Sequence, residues 1–133
     1  MSQNEEFQRL IEKEKLILVP IPLFHLKEKR RGYNQAETIA KEIGKEFKLP
    51  VQNLLIRTRD TGSQVKLDRS QRRENIRNAF NLKIINNKSS IISKSFLLID
   101  DVLTTGATVS EAGKVLKKAG ANKVWALAFA KEK

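Results

Sequence analysis

Residues 96–108 read Phe-Leu-Leu-Ile-Asp-Asp-Val-Leu-Thr-Thr-Gly-Ala-Thr, and this stretch decides the fold. Its first four residues are all apolar, which predicts a strand covered on both faces, as the strands of parallel sheets are. Two carboxylates, Asp100 and Asp101, follow where this predicted strand ends, and open α/β sheets bind their ligands at that end. The sequence therefore predicts an α/β fold with a ligand site beside these two side chains.

The carboxylates and the loop after them predict contacts with different parts of one ligand, a sugar phosphate. Carboxylates accept hydrogen bonds from vicinal hydroxyl groups or hold the water shell of Mg²⁺. The loop has small side chains, so its backbone N–H groups are able to surround an anion where a helix begins. We therefore expect the sugar and Mg²⁺ beside Asp100 and Asp101, and a phosphate at Thr104, Thr105, Gly106, Ala107 and Thr108.

An apolar run that ends in two aspartates is also typical of nucleotide hydrolases. Those proteins require a glycine-rich loop that ends in Gly-Lys-Ser or Gly-Lys-Thr. The two Gly-Lys pairs of this chain, at residues 44–45 and 113–114, are followed by Glu46 and Val115, which argues against that chemistry. A strand with a merely solvated turn is the remaining structural alternative.

Strand and helix patterns alternate along the chain, which predicts a doubly wound, mostly parallel sheet. The predicted strands cover residues 16–21, 51–56, 80–85, 91–92, 96–99 and 124–129, and the predicted helices cover residues 36–47 and 109–119. We expect a partial N-terminal helix over residues 1–15 and one domain over residues 16–133. No apolar stretch is long enough to cross a membrane and the first residues are too polar for a signal peptide, so we expect a cytoplasmic protein without membrane insertion.

The stretch at 96–108 closely resembles the phosphoribosyl pyrophosphate signature of type I phosphoribosyltransferases. Val-Pro-Ile-Pro at 19–22, Arg-Gly-Tyr-Asn-Gln at 31–35 and the stretch 57–80 resemble the ComF family, relatives of amidophosphoribosyltransferase associated with competence for DNA uptake. This resemblance implies a type I phosphoribosyltransferase-like core, with phosphoribosyl pyrophosphate or a nucleotide monophosphate as its ligand. Many ComF-like proteins carry a cysteine-rich metal-binding segment before the core, whereas this chain has no cysteine.

The same resemblance assigns roles to further residues. It implies a pyrophosphate-binding loop and two arginines on the pyrophosphate side: Pro20, Ile21, Pro22, Leu23, Arg57 and Arg59. It also implies a flexible loop over residues 62–75 that closes over the substrate, with Gln64, Arg69, Arg72 and Arg73. The expected catalytic residues are Asp100, Asp101 and Arg57. Of these, Arg57 carries the positive charge that stabilises the negative charge growing on a leaving pyrophosphate.

Two functions follow from these assignments, and the sequence leaves both open. The first is a phosphoribosyltransferase reaction, in which a nitrogen nucleophile displaces pyrophosphate at C1 of ribose in the presence of Mg²⁺. No glutaminase domain or cysteine is present to release ammonia from glutamine, so we do not expect full amidophosphoribosyltransferase activity. No segment that would recognise a nucleobase is identifiable, and the acceptor stays open. The second is a non-catalytic, ligand-sensing or DNA-binding component of a DNA-uptake or regulatory assembly. A homodimer is compatible with either function.

The charge distribution bears on the second function. The chain has 26 Lys and Arg against 15 Asp and Glu, a formal net charge of +11. Basic residues crowd the region 57–77, and clustered arginine attracts the phosphate backbone of single-stranded DNA. This region contains no aromatic residue on which a base could stack, and a solvated surface is the commoner reason for such a charge run. Single-stranded DNA is therefore the secondary partner that the sequence predicts.

Overall fold

Helices and strands alternate through most of the chain. The computed structural model describes residues 3–23, 34–58, 70–71, 76–83, 90–103 and 106–131. The helices are α1 (Gln3–Glu14), α2 (Gln35–Phe47) and α3 (Ala107–Lys118). The strands are β1 (Ile17–Pro20), β2 (Leu55–Arg57), β3 (Phe80–Leu82), β4 (Ser95–Leu103) and β5 (Lys123–Lys131). Among these described helices, none is long and apolar enough to cross a membrane.

Three of the strands form a parallel sheet in the order β1-β4-β5. Val19 of β1 lies opposite Leu98 of β4, and Ile99 of β4 lies opposite Leu127 of β5. The central strand is fully covered, because the four apolar residues at 96–99 are all buried. The prediction of a strand buried on both faces is therefore confirmed.

Each face of this sheet carries its own apolar core. Leu98 on one face packs with Ala112 and Leu116 of α3. On the other face, Leu97 and Ile99 pack with residues of α1 and α2, among them Phe7, Leu10, Ile11, Ala40 and Ile43. Alternate residues of β4 thus enter opposite cores, as the pleat of a strand requires. Helices on both faces of a parallel sheet confirm the predicted α/β class.

Strand β4 continues past the point where the sequence predicted its end. It runs to Leu103, so Asp100 and Asp101 lie within the strand and do not follow it. The reason is the length of β5, which still pairs with β4 where Asp100 lies opposite Ala128 and Val102 opposite Ala130. A neighbouring strand of nine residues supplies backbone hydrogen bonds that the side-chain pattern of β4 does not reveal.

The short strand predicted at residues 91–92 is wrong. Residues 91–93 form a turn, which a hydrogen bond from the Lys94 N–H to the Ile91 carbonyl closes at 3.1 Å. Ser93 adopts a left-handed conformation with φ of 62°, which ends any extended run. Ile91 is nevertheless completely buried in the core beside α3, so its apolar character serves packing outside a strand.

The region between α2 and β4 departs from purely parallel pairing. Val51 makes an isolated parallel bridge to Leu18, but the strand that follows, β2, is confined to Leu55–Arg57. It pairs with β3 in an antiparallel, two-stranded sheet, in which Arg57 lies opposite Phe80. The strand predicted at 80–85 is observed over Phe80–Leu82, and residues 84–89 lie outside the described part.

Candidate functional site

The two aspartates of β4 form the centre of the candidate site. Asp100 is 9% exposed, and its Oδ1 accepts a hydrogen bond from the Asp101 N–H at 2.9 Å. The pKa of Asp100 is raised from 3.8 to about 7, mainly by burial and also by a hydrogen bond with the Asp101 side chain and the charge of that side chain. Asp100 thus keeps its proton to a higher pH than an exposed aspartate does.

Arg57 brings a positive charge to this buried carboxyl group. Its guanidinium acts in the opposite direction to burial and lowers the pKa of Asp100. The guanidinium carbon lies 4.9 Å from the centre of the Phe80 ring, directly across the β2–β3 pair. Such a stacked arrangement restricts the arginine side chain. The structure therefore brings two of the predicted catalytic residues, Arg57 and Asp100, within electrostatic range of each other.

The predicted pyrophosphate loop leaves the sheet beside the same aspartate. Pro20 is the last residue of β1 and lies opposite Ile99, and the Ile21 N–H still donates to the Ile99 carbonyl at 2.8 Å. The first half of the predicted loop therefore continues along β4. Only from Pro22 onward does the backbone depart, next to the position of Asp100 in the neighbouring strand.

Asn34 holds this departing segment, although we did not predict a role for it from the sequence. Its side chain is buried, its Nδ2 donates to the Ile21 carbonyl at 3.1 Å, and its Oδ1 accepts from the Ala36 N–H at 3.0 Å. Asn34 is also the N-cap of α2. An asparagine immediately before a helical pattern is a cap signal that could have identified it.

A cavity of about 510 Å³ brings part of the predicted pyrophosphate side together. Pro22, Leu23 and Arg57, which the family resemblance assigns to pyrophosphate binding, line it. Polar side chains that we did not predict complete its wall: Asn34, Glu37, Asn53 and Lys83. Two cations and two amide side chains give this cavity several groups that could bind phosphate oxygens.

Gly106 begins the helix that follows the aspartates. It is the N-cap of α3, and it has no side chain that could cap the helix. Its φ of 81° is left-handed, a conformation that glycine adopts without strain. Ala107 and Thr108 are the first two residues of α3, so three of the five predicted phosphate residues form the start of a helix. Helix N-termini attract phosphate groups.

The remaining predicted site residues lie outside the part of the chain that the structure describes. They are two threonines of the phosphate loop, one arginine of the pyrophosphate side and the members of the flexible loop: Thr104, Thr105, Arg59, Gln64, Arg69, Arg72 and Arg73. Their roles stay predictions.

The donor set of the site fits one kind of metal binding. Within the described ranges, no group of three or more His, Cys, Asp or Glu side chains could hold a metal ion. Asp100 and Asp101 alone offer two carboxylates, and Mg²⁺ commonly takes only one or two carboxylates together with water and substrate phosphates. The residues present therefore suit a magnesium ion that arrives with a phosphorylated substrate.

A comparison with known families decides the classification. The phosphoribosyl transferase domain family matches residues 29–133. The chain belongs to this family. It is 37% identical over 116 residues to Competence protein F of Haemophilus influenzae, which covers 85% of the chain and 50% of that protein. It is 35% identical over 106 residues to Competence protein ComFC of Streptococcus pneumoniae, covering 80% of the chain and 44% of that protein.

A third relative is the DNA utilization protein YhgH of Escherichia coli K12, at 31% identity over 113 residues, with 83% of the chain and 48% of that protein covered. These similarities confirm the ComF branch of the phosphoribosyltransferase family, as the motifs indicated. The chain spans about half the length of the curated relatives that it matches.

Solved structures agree with this family assignment at the level of the fold. The allosteric regulatory enzyme of purine biosynthesis superposes with a TM-score of 0.55 at 16% identity, over 91% of the chain and 24% of that protein. A purine phosphoribosyltransferase from Pyrococcus horikoshii gives a TM-score of 0.53 at 13% identity, over 96% of the chain and 70% of that protein. The ComF-family chain therefore has the type I phosphoribosyltransferase fold.

Proposed function

We propose that the chain binds phosphoribosyl pyrophosphate with Mg²⁺ and catalyses the displacement of pyrophosphate at C1 of ribose by a nitrogen nucleophile. One observation carries this proposal. Arg57 acts electrostatically on Asp100 and also lines a cavity with Pro22 and Leu23. The residue assigned to pyrophosphate thus lies within electrostatic range of the residue assigned to ribose, and it shares a cavity with two residues of the proposed pyrophosphate loop.

Each end of the ligand has a chemically suitable partner in this arrangement. Asp100 and Asp101 accept hydrogen bonds from the ribose hydroxyl groups, which donate well to carboxylates. The backbone at Gly106, Ala107 and Thr108 binds the 5-phosphate at the start of α3. Arg57 binds the pyrophosphate group in the cavity that it shares with Pro22. No covalent protein nucleophile is required.

Catalysis in this proposal is electrostatic. Breaking the bond between C1 and the pyrophosphate oxygen leaves positive charge on the sugar, in an oxocarbenium-like state, and negative charge on the departing pyrophosphate. Arg57 faces that negative charge and stabilises it as it develops. The two aspartates hold the ribose, and their negative charge favours positive charge on its ring. Asp100 and Asp101 would hold Mg²⁺ together with the substrate, and the ion would supply additional positive charge for the pyrophosphate.

The proposal is tested by titrating the purified chain with phosphoribosyl pyrophosphate, with and without Mg²⁺, while its thermal stability is measured. We expect stabilisation that depends on Mg²⁺, and little stabilisation by an equal concentration of adenosine monophosphate in the absence of pyrophosphate. Asp101→Asn should reduce the affinity at least about tenfold, since hydrogen bonds to a charged group contribute about 1.5–3 kcal/mol. Glu14→Gln, which changes the same charge on α1, is the matched control and should bind normally.

A result of unchanged affinity in both Asp100→Asn and Asp101→Asn would contradict the ribose assignment. Release of pyrophosphate in the presence of candidate amines would then separate an enzyme from a binding protein. If ligand binds but no amine releases pyrophosphate above the rate without protein, the catalytic half of the proposal is rejected and the binding half is retained.

A second candidate function is a DNA-binding component of a DNA-uptake assembly. The names of similar proteins, Competence protein F and DNA utilization protein YhgH, and the net charge of +11 favour it. Replacing Arg69, Arg72 and Arg73 with glutamine should weaken binding of single-stranded DNA and reduce its dependence on salt, because fewer counterions are then released. Equal binding by the variant and the unmodified chain would exclude this loop from DNA contact.

A further inference from the structure

Strands β2 and β3 need support from outside their own pair. They form a two-stranded sheet of three residue pairs, and residues 58–79 of the chain separate them. A sheet of two strands is marginally stable alone and requires packing against a helix or further strands. Because Arg57 is the last residue of β2, its position depends on how this pair of strands is held.

Hydrogen bonds to one carbonyl close the end of the pair at Arg57. Next to the Arg57–Phe80 pair, the Thr58 N–H donates to the Ala79 carbonyl at 2.7 Å, and Thr58 Oγ1 donates to the same carbonyl at 3.1 Å. Asn78, which precedes Ala79, adopts a left-handed conformation with φ of 58° and lies in a turn. The end of β2 that carries Arg57 is therefore tied to the turn at Asn78.

Glu111 of α3 holds this turn. Its Oε2 accepts a hydrogen bond from the Asn78 N–H at 3.4 Å, and its Oε1 accepts one from Lys114 Nζ at 3.0 Å. Burial raises the pKa of Glu111, but the hydrogen bonds from Lys114 and Asn78 and the charges of Lys114 and Arg77 outweigh burial and hold this pKa below its ordinary value. Glu111 is therefore an anion at neutral pH, and an ionised acceptor makes the stronger hydrogen bond.

The helix that carries Glu111 also carries the proposed 5-phosphate site. Helix α3 begins at Ala107, and Glu111 lies about one helical turn further on. Ala107 packs in the same apolar core as Phe80 of β3. Because one turn of helix is rigid, the contact between Glu111 and the turn at Asn78 sets where the β2–β3 pair lies relative to the start of α3.

The second half of α3 leaves open space beside the β2–β3 pair. A cavity of about 700 Å³ lies there. Residues of the pair and the turn line one side, and residues of α3 line the other: Ile56, Asn78, Phe80, Asn81 and Leu82, and Val115, Lys118 and Ala119. Apolar packing along α3 is therefore incomplete, and a polar contact near the start of the helix has a larger part in fixing the pair.

We propose that Glu111 is a positioning residue for the pyrophosphate side of the ligand site. By holding the turn at Asn78 against α3, its carboxylate keeps the guanidinium of Arg57 over Phe80, at a set distance from the helix start that binds the 5-phosphate. This role rests on the proposed function, in which Arg57 and the start of α3 bind opposite ends of one ligand. Glu111 acts through Arg57 and not on the reacting atoms.

The first test needs no ligand. Glu111→Ala and Glu111→Gln both remove the charge, but only glutamine keeps an oxygen that accepts from the Asn78 N–H. Because Arg57 lies over the Phe80 ring, the ring displaces the NMR signals of the Arg57 side chain. In Glu111→Ala we expect this displacement to fall by about half or more and the Thr58 amide to exchange at least about tenfold faster. Glu111→Gln should resemble the unmodified chain in both measurements.

The second test compares phosphoribosyl pyrophosphate with ribose 5-phosphate, both in the presence of Mg²⁺. Relative to Glu111→Gln, Glu111→Ala should bind phosphoribosyl pyrophosphate at least about fivefold more weakly, because a displaced Arg57 no longer meets the pyrophosphate. The two variants should bind ribose 5-phosphate with affinities that agree within about twofold, since that ligand has no pyrophosphate. Lys114→Ala removes the other partner of Glu111, leaves the Asn78 contact in place, and should show neither effect.

The two tests separate this role from general stability and from the proposed function. Unchanged Arg57 signals in Glu111→Ala, or equal weakening of both ligands, overturn the proposal. Exchange of the Leu98 amide in β4 that accelerates as much as that of Thr58 also overturns it, because the whole fold is then destabilised. If the unmodified chain does not bind phosphoribosyl pyrophosphate, the proposed function is rejected, and the Arg57 signals alone confirm or reject the positioning role of Glu111.

Discussion

The side chain of Asn34 and the carbonyl of Ile21 are joined by a hydrogen bond of 3.1 Å across thirteen residues of chain. The same side chain caps α2 through the Ala36 N–H. One buried amide therefore connects the end of β1, where the proposed pyrophosphate loop begins, to the start of the next helix. An amide suits both contacts because it donates with its nitrogen and accepts with its oxygen.

Asn34→Asp separates these two contacts. The carboxylate keeps an acceptor for the Ala36 N–H but has no donor for the Ile21 carbonyl. We expect the free energy of unfolding to fall by about 1–3 kcal/mol at pH 8, measured by urea denaturation. At acidic pH the protonated carboxyl group regains a donor, so the deficit should shrink as the pH falls.

Asn34→Ala is the counterpart, because it removes both contacts and has no group that titrates. Its deficit should be about the same at every pH between 4 and 8, and should include about 1 kcal/mol for the lost cap. If the two variants show the same pH dependence, the hydrogen bond to Ile21 does not contribute to stability as the structure indicates.

Asp100→Asn should stabilise the ligand-free chain at alkaline pH. Burial and the neighbouring Asp101 carboxylate raise the pKa of Asp100 from its ordinary value of 3.8 to about 7, so the folded chain binds this proton more tightly than the unfolded chain does. The stability contributed by the protonated group is complete below pH 4 and is lost as the pH rises to 7. At pH 8 we expect a gain on the order of 2–4 kcal/mol over the unmodified chain, and little difference at pH 4.

The measurement is the difference in unfolding free energy between the two proteins across this pH range. Glu46→Gln, on the exposed side of α2, serves as the control for a loss of one carboxylate and should follow the unmodified chain. A difference between Asp100→Asn and the unmodified chain that does not vary with pH would contradict the raised pKa.

Arg57→Gln should raise the pKa of Asp100 further, because the guanidinium is the positive charge that opposes burial there. The carboxyl carbon of Asp100 can be followed by NMR during a pH titration of each protein. Arg9→Gln removes an equal charge from the exposed side of α1 and should leave the titration of Asp100 unchanged. If the titration midpoint of Asp100 is identical in the Arg57 variant and the unmodified chain, Arg57 does not act on Asp100 as proposed.

Gly44→Ala should destabilise the chain although alanine is the better helix former. A methyl group at Gly44 would lie 2.8 Å from the Leu49 carbonyl oxygen and 2.8 Å from Val51, so backbone must move. We expect a net loss of about 1–3 kcal/mol in unfolding free energy, as overpacked sites show.

Gly113→Ala is the matched substitution in α3. Its methyl group would meet Val124 and Leu98 at ordinary contact distances, so the higher helix propensity of alanine should stabilise the chain by about 0.5–1 kcal/mol. Denaturation of both variants under one condition tests the pair. Equal effects of the same sign would show that the surroundings of the two glycines do not differ as described.

The sequence by itself determined the features that depend on neighbouring residues. Four consecutive apolar residues at 96–99 indicated the buried central strand, because a strand covered on both faces excludes water from all of them. Helical spacing specified α2 and α3, whose observed starts lie within two residues of the predicted ones. The motifs that these elements carry were enough to predict the phosphoribosyltransferase fold and the ComF branch.

Only the tertiary structure decided which distant groups meet. The length of β5 extended β4 past the aspartates, and the β2–β3 pair brought Arg57 over Phe80 and into range of Asp100. The hydrogen bond between Asn34 and Ile21 likewise depends on how the start of α2 lies against the end of β1. Local patterns record whether a residue prefers a strand, a helix or burial, but a contact between separate elements depends on sheet order and chain direction. Those are settled by packing of the whole chain, because each alternative arrangement buries a different set of apolar and polar groups.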